Sequence, residues 1–412
     1  MKRKAIYFSF LLFLYYCRYC ILYSFASVFF DEQGFSAVQI GQLAAVSGLV
    51  VVFAGPLAGM LADRIGSEKK VIQTCLLSTL FLIAGVYAAR KKFWPLLLLY
   101  GAVSFFDKAV SPLMDSWIVR SGQGKVPLPY GKIRAAGSLG GALCAVGTGA
   151  LIDAAGFLAV FLLHMGMTAL MLLGTAGAKR ISGAQAGAEK PADREMPDES
   201  LHAGAKPDSG GEEERTFPFL YGTLLAVTVL LFTGVTAEVT YYSILFQECG
   251  GSKAWLGAAM FLMSASELTG MGCYPRLRRN IPLRWALFLS LVVYAGKLCV
   301  QIFASQIPSL MLVQLLQGGA YGILLPAVTE LVPLLAGKRR TATALSACYA
   351  GMQGVGAVFG NWIAGLICER FGLRRAFLAG TCFCVLAAGL YAAVFLVHRK
   401  SGALEGDIMK KL

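Results

Sequence analysis

The chain has 412 residues, of which 57% are hydrophobic and only 15% are charged, and its formal net charge is +14. Soluble domains carry roughly 25% charged residues, so this chain lacks the polar surface that a water-soluble protein needs. The composition therefore excludes a soluble globular domain and predicts a helical protein that crosses a membrane many times.

Apolar stretches of about 20 residues recur along the whole chain, and each is long enough to span a bilayer as a helix. We predict twelve such spans, numbered in chain order, and hence an all-α membrane protein with both termini on one side. The predicted spans are 5–30, 37–62, 70–89, 94–119, 133–152, 157–177, 218–245, 254–273, 283–304, 308–335, 342–367 and 373–397. The first follows a basic start but exceeds the roughly 7–15 apolar residues of a signal peptide, so we interpret it as an uncleaved helix.

Lysine and arginine are distributed unevenly between the two sides that these spans define. The termini and the loops on their side hold 26, the opposite loops hold seven, and the spans themselves hold four. Positive charge accumulates in the cytoplasmic loops of membrane proteins, so both termini are predicted to be cytoplasmic. The positive net charge is thus explained by the cytoplasmic loops of a protein in the cytoplasmic membrane. It does not indicate a nucleic-acid partner.

Eleven cysteines raise the question of a metal site. Most lie inside predicted spans, and Cys17 and Cys20 form a C-x-x-C pair in span 1. A zinc site needs further ligands at a comparable depth, and none is apparent in the sequence. We interpret the cysteines as small packing residues and expect neither a metal nor a cofactor.

Residues 178–216 interrupt the apolar pattern with small, charged and proline residues, which is typical of a flexible linker. This predicted cytoplasmic linker separates an N-terminal six-helix bundle (1–177) from a C-terminal six-helix bundle with a short tail (217–412). GALIDAAG (149–156) and GLICERFG (365–372) repeat one pattern, with glycine first and last and an acid fifth. Duplicated halves related in this way are a transporter layout, with substrate bound between them.

The segment GMLADRIGSEKK (59–70), between spans 2 and 3, resembles the G-x-x-x-D-[RK]-x-G-[RK] signature of the major facilitator superfamily. The matching residues are Gly59, Asp63, Arg64 and Gly66. The resemblance implies the major facilitator fold, and it implies that these residues form a conformational latch that stabilises one access state. The corresponding loop at 273–282 has arginines but no aspartate, so a latch is expected on the N-terminal side only. A solvated loop that merely sets topology is the alternative.

A finer resemblance lies in PLMDSW (112–117), PYGKIRAAGSLGG (129–141) and RRTATALSACYAGMQGVGAVFG (339–360). These segments are similar to the branch that includes lactose permease-type oligosaccharide:proton symporters and 3-phenylpropionate and nucleoside permeases. In the sugar symporters an acid in span 4 and an arginine in span 5 pair at the substrate, and Asp115 and Arg134 occupy those positions.

Two further positions match this branch and three depart from it. Glu267 matches the acid of span 8, and Lys297 lies where span 9 has a basic residue. The departures are Gln317 and Ala320, which replace the histidine and the proton-carrying glutamate of span 10, and Gly141, which replaces a substrate-stacking aromatic. The resemblance therefore implies neither a lactose-like substrate nor an identical proton path.

Charged residues inside the spans carry the main functional signal, because a charge in the bilayer is costly unless it is paired or faces an aqueous cavity. Asp115 and Arg134 lie at similar predicted depths in antiparallel spans, so they can pair at a substrate or as a structural contact at the rim. Seven residues separate Lys108 from Asp115, which places both on one face of span 4. Asp107 points elsewhere and can face Arg18 in span 1.

Span 1 also presents tyrosines on the face that contains Arg18, and we interpret that face as a cavity wall, with plain packing as the alternative. Two glutamines share a face of span 10. The predicted substrate-binding residues are therefore Arg18, Tyr19, Lys108, Asp115, Arg134, Gln314 and Gln317.

The predicted spans hold five acids and four bases, which leaves one carboxylate without a cation. Such a group can bind and release protons in a proton-coupled carrier. We expect Glu267 to be this group, followed by Glu238. The alternative is that Glu330, near the cytoplasmic end, is solvated or paired with the basic residues 338–340, which leaves the interior balanced.

These patterns predict a monomeric secondary transporter that moves a small polar or anionic organic solute across the lipid bilayer by alternating access. Proton symport is favoured because of the resemblance to the uptake branch. The alternatives are proton-antiport efflux of a cationic or amphipathic compound and a non-transporting receptor of the same fold. The sequence contains no H-E-x-x-H, G-x-S-x-G or Walker A segment, so an enzyme or an ATP-driven pump is not expected.

Overall fold

A computed structural model of the chain describes residues 2–121, 130–176, 218–337 and 341–397. Throughout these ranges the chain is built from helices, numbered here in chain order. They are α1 (Lys2–Tyr23), α2 (Ala26–Glu32), α3 (Ala37–Ile65), α4 (Glu68–Ala88), α5 (Phe93–Ser121), α6 (Tyr130–Ala176), α7 (Pro218–Glu248), α8 (Lys253–Asn280), α9 (Leu283–Phe303), α10 (Ile307–Val313), α11 (Gln317–Ala336), α12 (Thr341–Ala350), α13 (Ala357–Phe371) and α14 (Leu373–Tyr391). Short turns of 3-10 or π helix connect α10 to α11 and α12 to α13, and a third follows α14.

In the described part of the chain, ten helical segments are long and apolar enough to cross a membrane. One of them contains α6, which bends at Gly156, where a φ of 71° breaks the helical path into two arms. Predicted span 4 corresponds to α5 and span 5 to the first arm of α6, whereas α8, at the position of span 8, is not among the ten. The chain is thus an all-helical, multi-pass membrane protein, and the count of twelve spans stays a prediction.

We group the described helices by chain order into an N-half (α1–α6) and a C-half (α7–α14). The two halves meet along α3 and α13 and along α6 and α8. A Cβ atom at Gly41 would lie 2.5 Å from the carbonyl oxygen of Asn361 across the first of these contacts. Small residues permit such close backbone approach in lipid. The domain boundaries 1–177 and 217–412 stay predictions, and the predicted linker 178–216 lies outside the described residues.

The starts of α3 and α8 are capped by serines. Ser36 Oγ accepts from Gln39 N at 3.4 Å while Gln39 Oε1 accepts from Ser36 N at 3.0 Å, which is a capping box. Ser252 Oγ accepts from Trp255 N at 3.3 Å. A helix start leaves four backbone N–H groups without partners inside the helix. Each serine side chain accepts a hydrogen bond from only one of these four groups.

Candidate substrate-binding cavity

A cavity of about 590 Å³ lies between the N-half and the C-half. That volume is within the roughly 300–1,000 Å³ of small-molecule sites in proteins. Helices α1, α2, α3, α5 and α6 line it on one side, and α7, α8, α9, α11 and α13 line it on the other. Aromatic and charged side chains face the space from both sides, so a bound solute would contact both halves.

Two cations lie on the N-half wall. Lys108 Nζ donates to the carbonyl oxygen of Ser47 at 2.9 Å and to its Oγ at 2.7 Å, and it lies 4.9 Å from the centre of the Tyr23 ring. The guanidinium carbon of Arg134 lies 4.3 Å from the centre of the Tyr16 ring. Cations placed over aromatic faces in this way gain cation–π stabilisation. Among the described residues, neither cation forms an ion pair with a carboxylate.

The C-half wall contains a buried polar network centred on Glu238. Its Oε1 is 2.6 Å from Lys297 Nζ, and it accepts hydrogen bonds from Gln301 Nε2 at 2.8 Å and Gln314 Nε2 at 3.3 Å. Lys297 Nζ also donates to Gln317 Oε1 at 2.6 Å. The lysine and the glutamate thus satisfy each other's charge, as buried ions require.

Glu267 of α8 lines the cavity beside this network and is only partly buried. Within the described part of the chain it takes part in no ion pair, because Lys297 is engaged by Glu238. Glu330 is paired with Arg278, which lies beyond predicted span 8, so four acids and four bases remain in the predicted spans, as the alternative interpretation of the charge count expected. Glu267 is therefore distinguished by its place on the cavity wall outside any described ion pair, and not by a surplus of acids. The proton-coupling roles of Glu267 and Glu238 stay predictions.

The cavity brings together five of the seven predicted substrate-binding residues, namely Tyr19, Lys108, Arg134, Gln314 and Gln317. Arg18 is a correction, because it does not line the cavity. Its guanidinium forms an ion pair with the carboxylate of Asp107 on α5, and both side chains are fully buried inside the N-half. The prediction that Asp107 faces Arg18 is confirmed, and the charge of Asp107 explains why Arg18 points away from the cavity.

Asp115 is a second correction, since it is not among the residues that line the cavity. No ion pair joins it to Arg134 within the ranges that the structure describes; Arg134 contacts Tyr16 instead. Seven residues correspond to roughly 10 Å along a helix axis, so a shared face of α5 does not by itself bring both Lys108 and Asp115 to the cavity.

Three of the lining residues that were not predicted make polar or ring contacts at the cavity: Tyr16, which contacts Arg134; Ser47, which binds Lys108; and Asn361, which accepts from Thr240 Oγ1 at 2.5 Å. Tyr16, Tyr19 and Tyr23 recur at helical spacing, which is the signal that could have identified the true cavity face of α1. The other two are single polar residues in apolar helices and gave no comparable pattern.

The predicted latch lies at the end of α3, where the backbone of Gly66 has a φ of 67°. Asp63 Oδ1 is 2.5 Å from Arg120 Nη2, and Arg120 Nε is 2.9 Å from Glu68 Oε1. Arg64 is exposed, and a Cβ at Gly59 would meet no atom within 4 Å. In this structure the described contacts of the cluster stay within the N-half, so its role as a latch stays a prediction.

The C-half has an ionic cluster at the corresponding place. Arg278, at the end of α8, donates from Nε to both carboxylate oxygens of Glu330 at 3.1 and 3.2 Å and from Nη2 to Oε1 at 2.7 Å. Tyr274 Oη donates to Oε2 of the same carboxylate at 2.6 Å. Residues 338–340, which the alternative interpretation named as possible partners of Glu330, lie outside the described residues. The acid that binds the arginine of the 273–282 segment thus comes from α11.

Comparison with known proteins identifies the family. The sequence model of the MFS_1 like family matches residues 5–379. The chain belongs to this family. The resemblance of the 59–70 segment to the major facilitator superfamily is therefore confirmed, and the protein is a membrane transporter of the major facilitator type.

Two curated relatives and one solved structure illustrate the match. The maltose permease of Geobacillus stearothermophilus is 26% identical over 407 residues, which cover 98% of this chain and 97% of that one. The probable 3-phenylpropionic acid transporter of Escherichia coli is 31% identical over 165 residues, covering 39% and 42%. The crystal structure of the nucleoside transporter NupG superposes with a TM-score of 0.76 at 15% identity, covering 95% and 99%, which supports the fold alone.

Proposed function

We propose that this transporter takes up a small polar or anionic organic solute together with protons across the cytoplasmic membrane. The proposed cycle is alternating access, in which the cavity between the halves opens to one side of the membrane at a time. One arrangement supports the proposal above all. Lys108 and Arg134 on one wall and Glu267 on the other face a shared cavity, and among the described residues none of the three is in an ion pair.

The N-half wall is suited to bind oxygen atoms of a solute. Lys108 uses two of its three N–H donors on Ser47 and keeps the third. The guanidinium of Arg134 lies against the ring of Tyr16, which leaves its in-plane donors for a carboxylate or hydroxyl group. Three cations and two acids line the cavity. This balance disfavours the alternative of a cationic efflux substrate.

The C-half wall offers a carboxyl group that can gain or lose a proton without breaking an ion pair. Glu267 meets this condition, whereas Glu238 would have to release Lys297 and the amides of Gln301 and Gln314. We therefore assign the proton to Glu267. The names of the two curated relatives, a maltose permease and a probable 3-phenylpropionic acid transporter, refer to a neutral polar solute and to an organic acid. Both kinds of solute are compatible with the N-half wall.

The test has two stages and uses the purified full-length chain. A thermal-shift screen of sugars, nucleosides, aromatic acids and peptides first identifies a solute that stabilises the protein. Uptake of that solute into proteoliposomes is then measured with an imposed pH gradient, alkaline inside. We expect gradient-driven accumulation by the native chain, and loss of accumulation but retention of solute exchange in Glu267→Gln.

Glu248→Gln is the matched control, because Glu248 is exposed and does not line the cavity; it should accumulate solute normally. Accumulation by the native chain that ignores the pH gradient would refute proton coupling. Export against a solute gradient would indicate antiport, and binding without any flux would indicate a receptor.

A further inference from the structure

The two halves are joined by polar contacts at one end of the bundle, which we name the sealed end and define by residues 31–38, 149–156, 247–254 and 365–373. Within the described residues, every hydrogen bond and ion pair between the N-half and the C-half involves this end. By the predicted topology, the sealed end faces away from the cytoplasm. Its contacts therefore determine whether the cavity can open to that side.

On one side of the sealed end, Asp153 of α6 caps the start of α8. Its Oδ2 accepts from the backbone N of Ala254 at 2.8 Å, and its Oδ1 accepts from that of Lys253 at 3.3 Å. These are the second and first residues after the N-cap Ser252, whose Oγ is already engaged by Trp255 N. The carboxylate from the N-half thus completes a cap that the serine begins, and it faces the positive end of the helix dipole.

On the other side, the direction is reversed, because Glu369 of the C-half caps the start of α3 in the N-half. Its Oε2 accepts from the backbone N of Val38 at 3.1 Å and from Ser36 Oγ at 2.7 Å. Val38 is the second residue after its N-cap serine, which is the position that Ala254 occupies in α8. Each half therefore provides one capping carboxylate and receives one.

The repeated sequences GALIDAAG and GLICERFG supply both contacts. The first glycine of each lies four residues before the acid, one turn away on the same helical face. A Cβ at Gly149 would collide with the backbone of Lys253, and a Cβ at Gly365 would lie 3.1 Å from the carbonyl oxygen of Ala37. In each repeat the glycine lets the partner helix approach and the acid binds its first turn. The same device is present twice, once in each half.

We propose that Asp153 and Glu369 form a reciprocal capping latch, and that the sealed end opens only when each carboxylate leaves the helix start of the other half. The proposal rests on the alternating access proposed above. Because one capped helix belongs to each half, separation of the halves at this end breaks both caps together. The ion pair of Lys253 Nζ with Glu32 Oε1, at 2.6 Å, adds a further contact on the α8 side.

Hydrogen–deuterium exchange of the purified full-length chain, followed by mass spectrometry of peptides, tests this linkage. Asp153→Asn and Glu369→Gln remove one charge each and keep the side-chain size. We expect Asp153→Asn to speed exchange of residues 253–258 by about twofold to fivefold, as loss of a negative charge at a helix N-terminus implies. We also expect a smaller increase at residues 37–42, on the other side of the sealed end. Glu369→Gln should give the reverse pattern, and the double variant the largest increase at both.

Asp31→Asn is the control, because Asp31 is an exposed acid at the same end without a described cap contact; it should change neither segment. Residues 287–298 of the C-half core report whether a variant is still folded. If a neutral variant unfolds, Glu369→Asp, which withdraws the carboxylate but keeps the charge, takes its place. Faster exchange confined to the helix that lost its own cap, or unchanged exchange in both, would overturn the latch. The measurement needs neither solute nor pH gradient, so its failure is distinguishable from a failure of the uptake assay.

Discussion

The two walls of the cavity differ in how their charged side chains are paired. On the N-half wall, Lys108 and Arg134 contact a hydroxyl, a carbonyl and tyrosine rings, so no described carboxylate balances them. On the C-half wall, Lys297 is enclosed in a network with Glu238, and Glu267 faces the space outside any described ion pair. A wall with available donors can bind a solute, whereas a wall with internally paired charges keeps its shape while one acid changes its protonation. Each wall therefore responds to substitution in its own way.

The largest effect is expected from breaking the C-half network. Lys297→Met leaves the carboxylate of Glu238 buried without a cation, and removing one partner of a buried ion pair costs roughly 3–5 kcal/mol. We expect a marked fall in melting temperature, measured by tryptophan fluorescence of the purified protein. The double variant Glu238→Gln/Lys297→Met removes both charges and should recover most of the loss. If the single and double variants melt together, the pair is not the stabilising element of this wall.

A smaller effect, on binding and not on stability, is expected from the N-half wall. Lys108→Gln and Arg134→Gln each remove a charged donor, and hydrogen bonds to charged groups imply a loss of roughly tenfold to a hundredfold in affinity. Titration of the solute identified by the thermal-shift screen measures this. Lys92→Gln, at an exposed lysine outside the cavity, is the control. Unchanged affinity in both cavity variants would remove the N-half wall from solute recognition.

The smallest effect is expected from the aromatic support of Arg134. Tyr16→Leu removes the ring beneath the guanidinium, and the loss of an exposed cation–π contact implies a decrease in solute affinity of about threefold. Tyr16→Phe keeps the ring and loses only the hydroxyl contact with Ser111 at 3.4 Å, so its affinity should match that of the native chain. Equal losses in the two variants would point to the hydroxyl, and no loss in Tyr16→Leu would mean that Arg134 holds its position without the ring.

The general fold could be predicted because long apolar segments and the 59–70 signature are local features of the sequence. The cavity residues Lys108, Arg134 and Glu267 could be predicted for a related reason, since a charge in an apolar helix is visible without a structure. The sequence does not show which neighbouring helix, or which cavity, a charged side chain will face. Arg18 and Asp115 were assigned to the cavity because of their helical faces. The buried partner Asp107 decides the placement of Arg18, and a helical face alone does not say how far along α5 the cavity extends toward Asp115.

The ionic cluster of the N-half shows the same limit. The signature identified Asp63, but its partner Arg120 is 57 residues away in sequence and follows no motif. In the C-half, the acid that binds Arg278 comes from α11 and not from the corresponding loop. Pairings between distant segments depend on how the helices pack, and periodicity within one helix does not specify them.

The polarity of α8 has a consequence for how the protein is made. This helix brings Glu267 to the cavity and ends in a run of arginines, and it is not among the ten segments apolar enough to cross a membrane unaided. Its backbone instead fits closely against Gly318 and Gly322 of α11 and, through Gly257, against the first arm of α6. We expect stable insertion of such a segment to depend on its contacts with neighbouring helices, of which α6 precedes it and α11 follows it in the chain. Glu267, which we propose carries the proton, lowers the apolarity of α8. Correct assembly of this helix therefore depends on helices of both halves.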